Sequence, residues 1–346
     1  MPTISPDLLR NLTTALFEAV GTSAASAAFI ADSLVASDLA GHASHGVIRC
    51  PQYLEVVGLG SVDPQAEPAT VAIDGATVKV DARFGWGQPA MQLATLETIE
   101  LARTFGIAIG VVENAYHIGR VAPYVELAAR EGMVALAMAN VGPGVAPYGG
   151  RARVLGTNPI AWAVPGDEPT PYMQDIATSQ IAEGKARVAL TKGLPVPPGS
   201  IINIDGLPST NPQDLYDGGA LMAFGGHKGS GFSLLAHLLG RGLAGATAER
   251  LLERNGGNGP VIIVFDPARF GPLEEFRAAA TDEAHRVRSA TPAEGFTEVV
   301  MPGDLELRER KRREVEGCEI DETTWKTLLS DARRFGLSES LWATEA

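Results

Sequence analysis

From Ala40 to Arg49 the chain carries His42, Ser44, His45 and Arg49 within ten residues, and Tyr53 follows four positions later. A hydroxyl, two imidazoles, a guanidinium and a phenol on so short a stretch can hold a small carboxylate and move a proton. The arginine offers a planar fork that takes a carboxylate through two hydrogen bonds. An imidazole titrates near neutral pH, so it suits a carbonyl that is becoming an alcohol. A second polar island, Glu113-Asn114-Ala115-Tyr116-His117-Ile118-Gly119-Arg120, adds another histidine, and a third, Phe224 to Gly231, holds His227 and Lys228 among glycines. Glycine amides at a helix start beside Lys228 suit an anion such as a pyrophosphate. The plainer reading of those residues is a tight turn with a surface lysine.

His45 and His117 are the candidate proton carriers, because each sits beside or near a glycine in an expected loop ahead of a helix, where functional groups are often mounted. Arg49 is the candidate carboxylate clamp, and Ser44 and Tyr53 are placed to orient imidazole or substrate. A single loop histidine is usually idle; two in matched contexts, one close to an arginine, are less easily dismissed. His42, His237 and His285 read as structural or surface residues. Three such islands in a chain that is 45% apolar point to an enzyme.

These groups need elements to hold them. Ser5-Pro6-Asp7 is a helix start, with serine as N-cap and proline at the first helical position. A second helix is expected from Ser23 to Ala40, and a third from near Arg49 to Gly58, with Pro51 in its first turn. On that helix Arg49 and Tyr53 would share a face. Alternation in Thr70–Ile73 and Ala76–Val80 about Asp74-Gly75 predicts a hairpin. Helices follow over Pro89–Phe105, Val121–Glu131 and Gly229–Ala244, and strands over Ile107–Val112, Met133–Ala139, Pro159–Val164, Ser200–Ile204 and Val261–Phe265. Charged helices over Leu305–Glu316 and Asp321–Phe335 could return to the N-terminal ones. The division expected is a helical lobe from residues 1–68 with 300–346, carrying the Ser44/His45/Arg49 island, and a mixed-sheet lobe over 69–299.

Several classes are disfavoured. A net charge of -13 in 346 residues argues against nucleic acid, and the basic run Arg308 to Arg313 reads with its glutamates as a solvated helix face. Cys50 and Cys318 cannot form a disulfide framework, no ligand spacing predicts a metal, and no export signal or membrane span is visible, so a cytoplasmic protein is expected. Asn140 to Pro147 follows a strand as a dinucleotide loop should, yet Pro147 stands where the third glycine belongs. The Lys228 loop lacks the run that precedes a Walker lysine, and Ser44 lacks a Gly-x-Ser-x-Gly elbow.

Taken together, the islands resemble the type 2 malate/L-lactate dehydrogenase family, which includes ureidoglycolate and sulfolactate dehydrogenases and reductases of cyclic imines. The resemblance rests on Ser44-His45-Gly46-x-x-Arg49 with Tyr53, Asn114-x-x-His117-x-Gly119, Leu155-Gly156-Thr157-Asn158-Pro159, Asp175-Ile176-Ala177-Thr178-Ser179 with Gly184-Lys185, His227-Lys228-Gly229 and Pro302-Gly303-Asp304. It implies a mixed, largely antiparallel α/β fold that binds nicotinamide without a Rossmann domain, in a homodimer. It also implies NAD, with NADP possible, and a small carboxylate substrate. By position, His117 matches the proton acceptor of the hydroxy-acid members, and His45 with Ser44 matches the donor relay of the imine reductases. Those reductases place an aspartate where this chain has Lys185, which favours His117 as acid/base and His45 as a substrate-orienting donor. Asn140, Val141, Asp175, Ile176, Ala177, Thr178, Lys228, Gly303, Asp304 and Leu305 match cofactor contacts. The activity implied is reversible hydride transfer at C2 of a 2-hydroxy/2-oxo acid. A reductase of piperideine or pyrroline carboxylates is the alternative, and a silent binding protein on the same fold a third.

Overall fold

The computed structural model describes residues 1–167, 170–245 and 257–342; residues 168–169, 246–256 and 343–346, which the two expected lobes include, lie outside the described residues. The first half runs β1 (Thr3–Ile4), α1 (Pro6–Ala19), α2 (Ala24–Leu39), α3 (Cys50–Gly58), β2 (Ala69–Asp74), β3 (Thr77–Asp81), α4 (Gly87–Phe105), β4 (Ile107–Glu113), α5 (Ala122–Arg130), β5 (Val134–Ala139), β6 (Ile160–Val164) and β7 (Tyr172–Ile176). The second runs α6 (Glu183–Thr191), β8 (Ile201–Ile202), β9 (Pro208–Ser209), α7 (Pro212–Tyr216), β10 (Ala220–Leu221), α8 (His227–His237), β11 (Pro260–Phe265), α9 (Leu273–Arg288), α10 (Asp304–Glu316), β12 (Cys318–Glu319) and α11 (Glu322–Arg334). Among the described residues no helix is long and apolar enough to cross a membrane.

Seven strands form the main sheet in the order β2-β3-β4-β11-β5-β6-β7. Only β3 and β4 pair in parallel, and α4 is the crossover that such a pair requires. Every other neighbouring pair is antiparallel. A doubly wound dinucleotide fold needs a parallel sheet, so the sheet is the mixed, largely antiparallel one expected. Ala90, Met91 and Ala94 of α4 and Val125, Ala128 and Ala129 of α5 pack on Val80, Val112, Ala135 and Val264 of the strands. The contact is close because residues there are small: a Cβ on Gly110 would stand 2.2 Å from Thr98 Oγ1.

A second core lies among α1, α2, α3 and α11, around Leu12, Phe17, Ile30, Leu34, Tyr53 and Leu328. Ser5 caps α1 through the amide of Leu8 and Pro6 sits in its first turn, as the sequence predicts, and Ser23 caps α2. Trp86, just ahead of α4, belongs to this core: its ring meets Phe17 edge-on at 5.2 Å and its indole N–H donates to Thr22 Oγ1 at 2.9 Å.

The expectations needed correction in several places. The strand expected over Ser200–Ile204 is the two-residue β8, in a separate three-stranded sheet with β9 and β10. The expected Gly229–Ala244 helix begins at His227 and, after His237, loosens into a π-helical turn over Leu238–Leu243. There Gly240 meets backbone, since a Cβ would lie 2.3 Å from the carbonyl oxygen of Gly259. Strand β7, with the register Ile160↔Ile176, and helices α6, α7 and α9 went unread. The reason for α9 is plain: it buries only Ala284, so no apolar stripe marks it.

Candidate active site

Two short 3-10 turns, Ala43–His45 and Val47–Arg49, carry the first island from α2 to α3. Asp38, buried in the last turn of α2, holds this loop by accepting the amide of Val47 at 2.8 Å. Gly46 is required there, because a Cβ would fall 1.9 Å from Asp38 Oδ1. Burial raises the Asp38 carboxyl to about 7, against the pull of the Val47 amide and of Arg313. Arg49 Nε donates back to the Ser44 carbonyl at 2.6 Å and Nη1 donates to Gln52 at 2.8 Å. Tyr53 does not share an open face with Arg49: it is fully buried.

The second island is carried by the loop between β4 and α5. Asn114, at φ +53°, turns the chain and donates to Asp81 at 2.9 Å. The side chain of Asn258 takes the amide of Ile118 at 3.0 Å. The loop then folds against the start of α4 and brings His117 onto the first island.

The imidazoles of His45 and His117 stack with centroids 5.8 Å apart and planes 22° from parallel. Each Nδ1 has a hydroxyl. Ser44 Oγ is 3.0 Å from His45 Nδ1, and Tyr53 Oη is 2.6 Å from His117 Nδ1. Gln88, buried in the first turn of α4, donates to Tyr53 Oη at 3.2 Å, and the amide of Gly119 donates to His117 Nδ1 at 3.2 Å. A backbone amide can only donate, so this contact marks Nδ1 as an acceptor and puts the neutral ring's proton on Nε2. Tyr53 Oη can also accept from a protonated Nδ1, so the phenol supports the ring in either state.

Both rings resist protonation in the ligand-free protein. Burial drives His45 down to about 3, and Arg49, His42 and Arg120 add to it. Burial likewise holds His117 well below the ordinary histidine value, with His45 and Arg49 as further causes. The pocket therefore holds guanidinium charge beside two neutral bases. An arriving carboxylate offsets that charge and shifts both imidazoles toward protonation.

The expected cofactor residues are more dispersed. Asn140 is buried, with Oδ1 accepting the Gly259 amide at 2.6 Å, and the amide of Val141 donates to Asn158 at 2.8 Å. Asp175 Oδ2 caps α5 by accepting the amides of Val121 and Ala122 at 2.9 and 2.8 Å. Ile176 is exposed, Ala177 half-buried, and Thr178 buried with its hydroxyl on the Thr157 carbonyl at 3.1 Å. Lys228 is exposed at the start of α8, where Gly225 and Gly226 adopt φ of +54° and +63°. Beside Gly142, Gly144 and Gly225 nothing lies within 4 Å of where a Cβ would be. Gly303, at φ +93°, precedes α10; Asp304 is committed to Arg288 by two bonds of 2.6 and 3.0 Å, and Leu305 faces solvent.

Of two further residues near the site, Gln88 had no role from the sequence and Arg120 only a share, with Arg49 and Lys228, in the positive charge of the islands. Gln88 gave no sign, since a glutamine in an apolar helix looks ordinary until its partner is known. Arg120 was visible in the second island, but its burial was not.

A family model described as malate/L-lactate dehydrogenase matches residues 4–329. Hydroxycarboxylate dehydrogenase B of Escherichia coli (strain K12) is 34% identical over 340 residues, covering 96% of this chain and 94% of that one. A Delta(1)-pyrroline-2-carboxylate/Delta(1)-piperideine-2-carboxylate reductase of Pseudomonas putida is 36% identical over 321 residues, covering 91% and 92%. The solved structure of sulfolactate dehydrogenase from Methanocaldococcus jannaschii superposes with a TM-score of 0.91 at 32% identity, covering 98% of this chain and 99% of that one.

Proposed function

Because the chain belongs to the malate/L-lactate dehydrogenase family, we propose that it transfers a hydride reversibly between a nicotinamide dinucleotide and C2 of a small 2-hydroxy/2-oxo carboxylic acid. The observation that carries this reading is the stacked pair His45 and His117, each with a hydroxyl on Nδ1 and Nε2 left for a substrate. We read the dinucleotide as NAD(H), with NADP(H) the competitor, in a cytoplasmic homodimer. The free, buried Cys50 and Cys318 accord with a reducing compartment. Exposed Phe232, Leu235 and Leu238 on and just beyond α8 accord with a covered face. The helical lobe 1–68 with 300–346 would carry Ser44, His45 and Arg49, and the sheet lobe 69–299 most of the dinucleotide site.

The residues present fit a dinucleotide. Lys228 and the glycine amides at the start of α8 would hold a pyrophosphate. Asn140, Val141, Asp175 to Thr178 and Gly303 to Leu305 would line the remainder, and the open sides of Gly142 and Gly144 leave room for it. When bound, the nicotinamide supplies or takes the hydride.

This chain's own residues do the rest. Arg49 turns toward the substrate carboxylate, which lies within reach of the Ser44–His45 turn. His117 presents Nε2 to the C2 oxygen: protonated, it donates as the carbonyl becomes an alcohol; in the reverse direction the neutral ring accepts the alcohol proton at Nε2 by shifting from the Nε2–H tautomer that the Gly119 amide favours to the one whose Nδ1–H is held by Tyr53 Oη. Of the two roles the sequence allowed Tyr53, orienting imidazole or substrate, the hydrogen bond to His117 Nδ1 supports the first. His45, kept in place by Ser44, orients the substrate. In this reading Asp175 and Asp304 shape backbone, through the α5 start and Arg288, more than they touch cofactor.

The test is the loss of NADH absorbance on mixing the protein with NADH or NADPH and a panel of 2-oxo acids. Turnover of 2-oxo acids is expected; turnover of cyclic imines alone would move the enzyme to the imine-reductase reading. The Ser44–His45 pair favours that second reading. Against it, the reductases' aspartate position holds the exposed Lys185, and the relay ends at Ser44, against which α6 is packed, with a Cβ on Gly184 only 2.8 Å from Ser44 Cβ.

Two further results are expected. Arg49→Lys keeps the charge but loses the fork, so KM for the 2-oxo acid should rise while NADH affinity holds; an unchanged kcat/KM would remove Arg49 from the site. The pH profile should follow the lowered histidines. Oxidation of the alcohol needs a neutral imidazole, so its kcat/KM, which reports the free enzyme, should stay level as pH falls through 6.5 and decline only below it. Reduction needs the protonated ring, so its kcat/KM should rise as pH falls. A decline of the oxidation rate centred above pH 7 would assign the profile to another group.

A further inference from the structure

Arg120 ends the second island, three residues beyond His117 and just ahead of α5. Its relative exposure is 6%, yet Nε and Nη1 have no hydrogen-bond partner among the described residues. Its ion-pair partner is Asp175, 3.9 Å from Nε, and the same Asp175 oxygen already accepts two backbone amides; Glu126 and Glu306 add negative charge around the guanidinium and Arg310 positive charge, while Nε and Nη1 stay without a hydrogen bond. A guanidinium taken out of water with donors unmet is costly, and folded proteins keep such a group where a ligand completes it. Arg49, the other guanidinium near the histidines, gives its mapped hydrogen bonds to a carbonyl and an amide, with no carboxylate partner among the described residues. The charges of both are felt at the His45 ring, which places that ring within the field of the two. One substrate carboxylate satisfies one of them.

We propose that Arg120 is a second anion subsite, which takes a distal carboxylate on the substrate, so that the preferred substrate is a dianionic 2-hydroxy/2-oxo acid held between Arg49 and Arg120. This rests on the dehydrogenase reading above. Arg120 then sets specificity: its donors are completed only when the substrate brings a second negative group, and a monoanion leaves them unmet.

The experiment compares oxaloacetate with 2-oxobutanoate, which differ by a carboxylate in place of a methyl, in wild type, Arg120→Met and Arg120→Lys. Wild type should favour the dianion by tenfold or more in kcat/KM, and both variants should lower that ratio by about 10–100-fold, the worth of charge-assisted hydrogen bonds. An unchanged ratio overturns the proposal, and so does a loss of NADH affinity with the ratio kept, which would give the guanidinium to the dinucleotide. A second readout needs no turnover. With NADH present, malonate should raise the Tm of wild type and not of Arg120→Met, whereas propionate should act on the two alike. If no 2-oxo acid is turned over, the dehydrogenase reading falls, and an equal malonate shift in both proteins still overturns the subsite. Should Arg120→Met fail to fold, Arg120→Lys decides by the same two readouts.

Discussion

Replacing His117 with alanine is expected to lower kcat by roughly 10²–10⁴, the usual size of a general acid/base contribution. The imidazole is fixed from three sides: Tyr53 Oη and the Gly119 amide both address Nδ1, and the His45 ring stacks at 5.8 Å. Its Nε2 is the nitrogen left to exchange a proton. The substitution should also abolish the pH dependence that the neutral imidazole imposes on alcohol oxidation. His45→Ala should raise KM more than it lowers kcat, because that ring orients the substrate. Steady-state kinetics across pH 5 to 9 in both directions separate the two. Loss of the pH limb in the His45 variant alone would transfer the proton to His45 and favour imine reduction.

Gly87→Ala should damage both stability and catalysis, although the residue is in neither island. A Cβ there would stand 2.4 Å from the Tyr116 carbonyl oxygen and 2.7 Å from that of His117. Both are backbone atoms of the catalytic loop. The other side cannot yield, because Trp86 is wedged against Phe17 and Tyr53 and hydrogen-bonded to Thr22, while Gln88 supports Tyr53. Overpacking of this kind costs about 1–3 kcal/mol, read as a lower urea midpoint. Pushing His117 by about 1 Å should reduce kcat on the order of 10²-fold. A variant with wild-type midpoint and kcat would show that the loop gives way and that its position is not set by α4.

Local chemistry carried far in this sequence. Serine caps, first-turn prolines and apolar periodicity located α1, α2, α4, α5, β4 and β5, since these are properties of neighbouring residues and their spacing. The islands announced themselves in the same way. Carboxylate binding and proton transfer were legible because imidazole, guanidinium and hydroxyl groups clustered within a few positions; dehydrogenase chemistry came from the resemblance of those islands to a known family, with which the spoiled Rossmann loop at Pro147 agrees.

What the chain alone could not give were the distances between islands 64 positions apart. That the Tyr53 hydroxyl meets His117 follows from the packing of α3 on the loop beyond β4, which buries the phenol completely and gives its hydroxyl the His117 ring and the Gln88 amide as partners. That Gln88 stands behind it follows from the angle at which α4 enters the sheet. Burial separates the two arginines: Arg49 and Arg120 look alike in sequence, but one is half-open and bonded and the other is enclosed with donors unmet. Desolvation, which drives both histidines below their ordinary range, depends on everything packed around them. Residue types and spacing determined which groups this protein has for its chemistry; the tertiary fold decided which of them meet, which lose their water and which remain open to a ligand, because those outcomes depend on contacts between segments far apart in the chain.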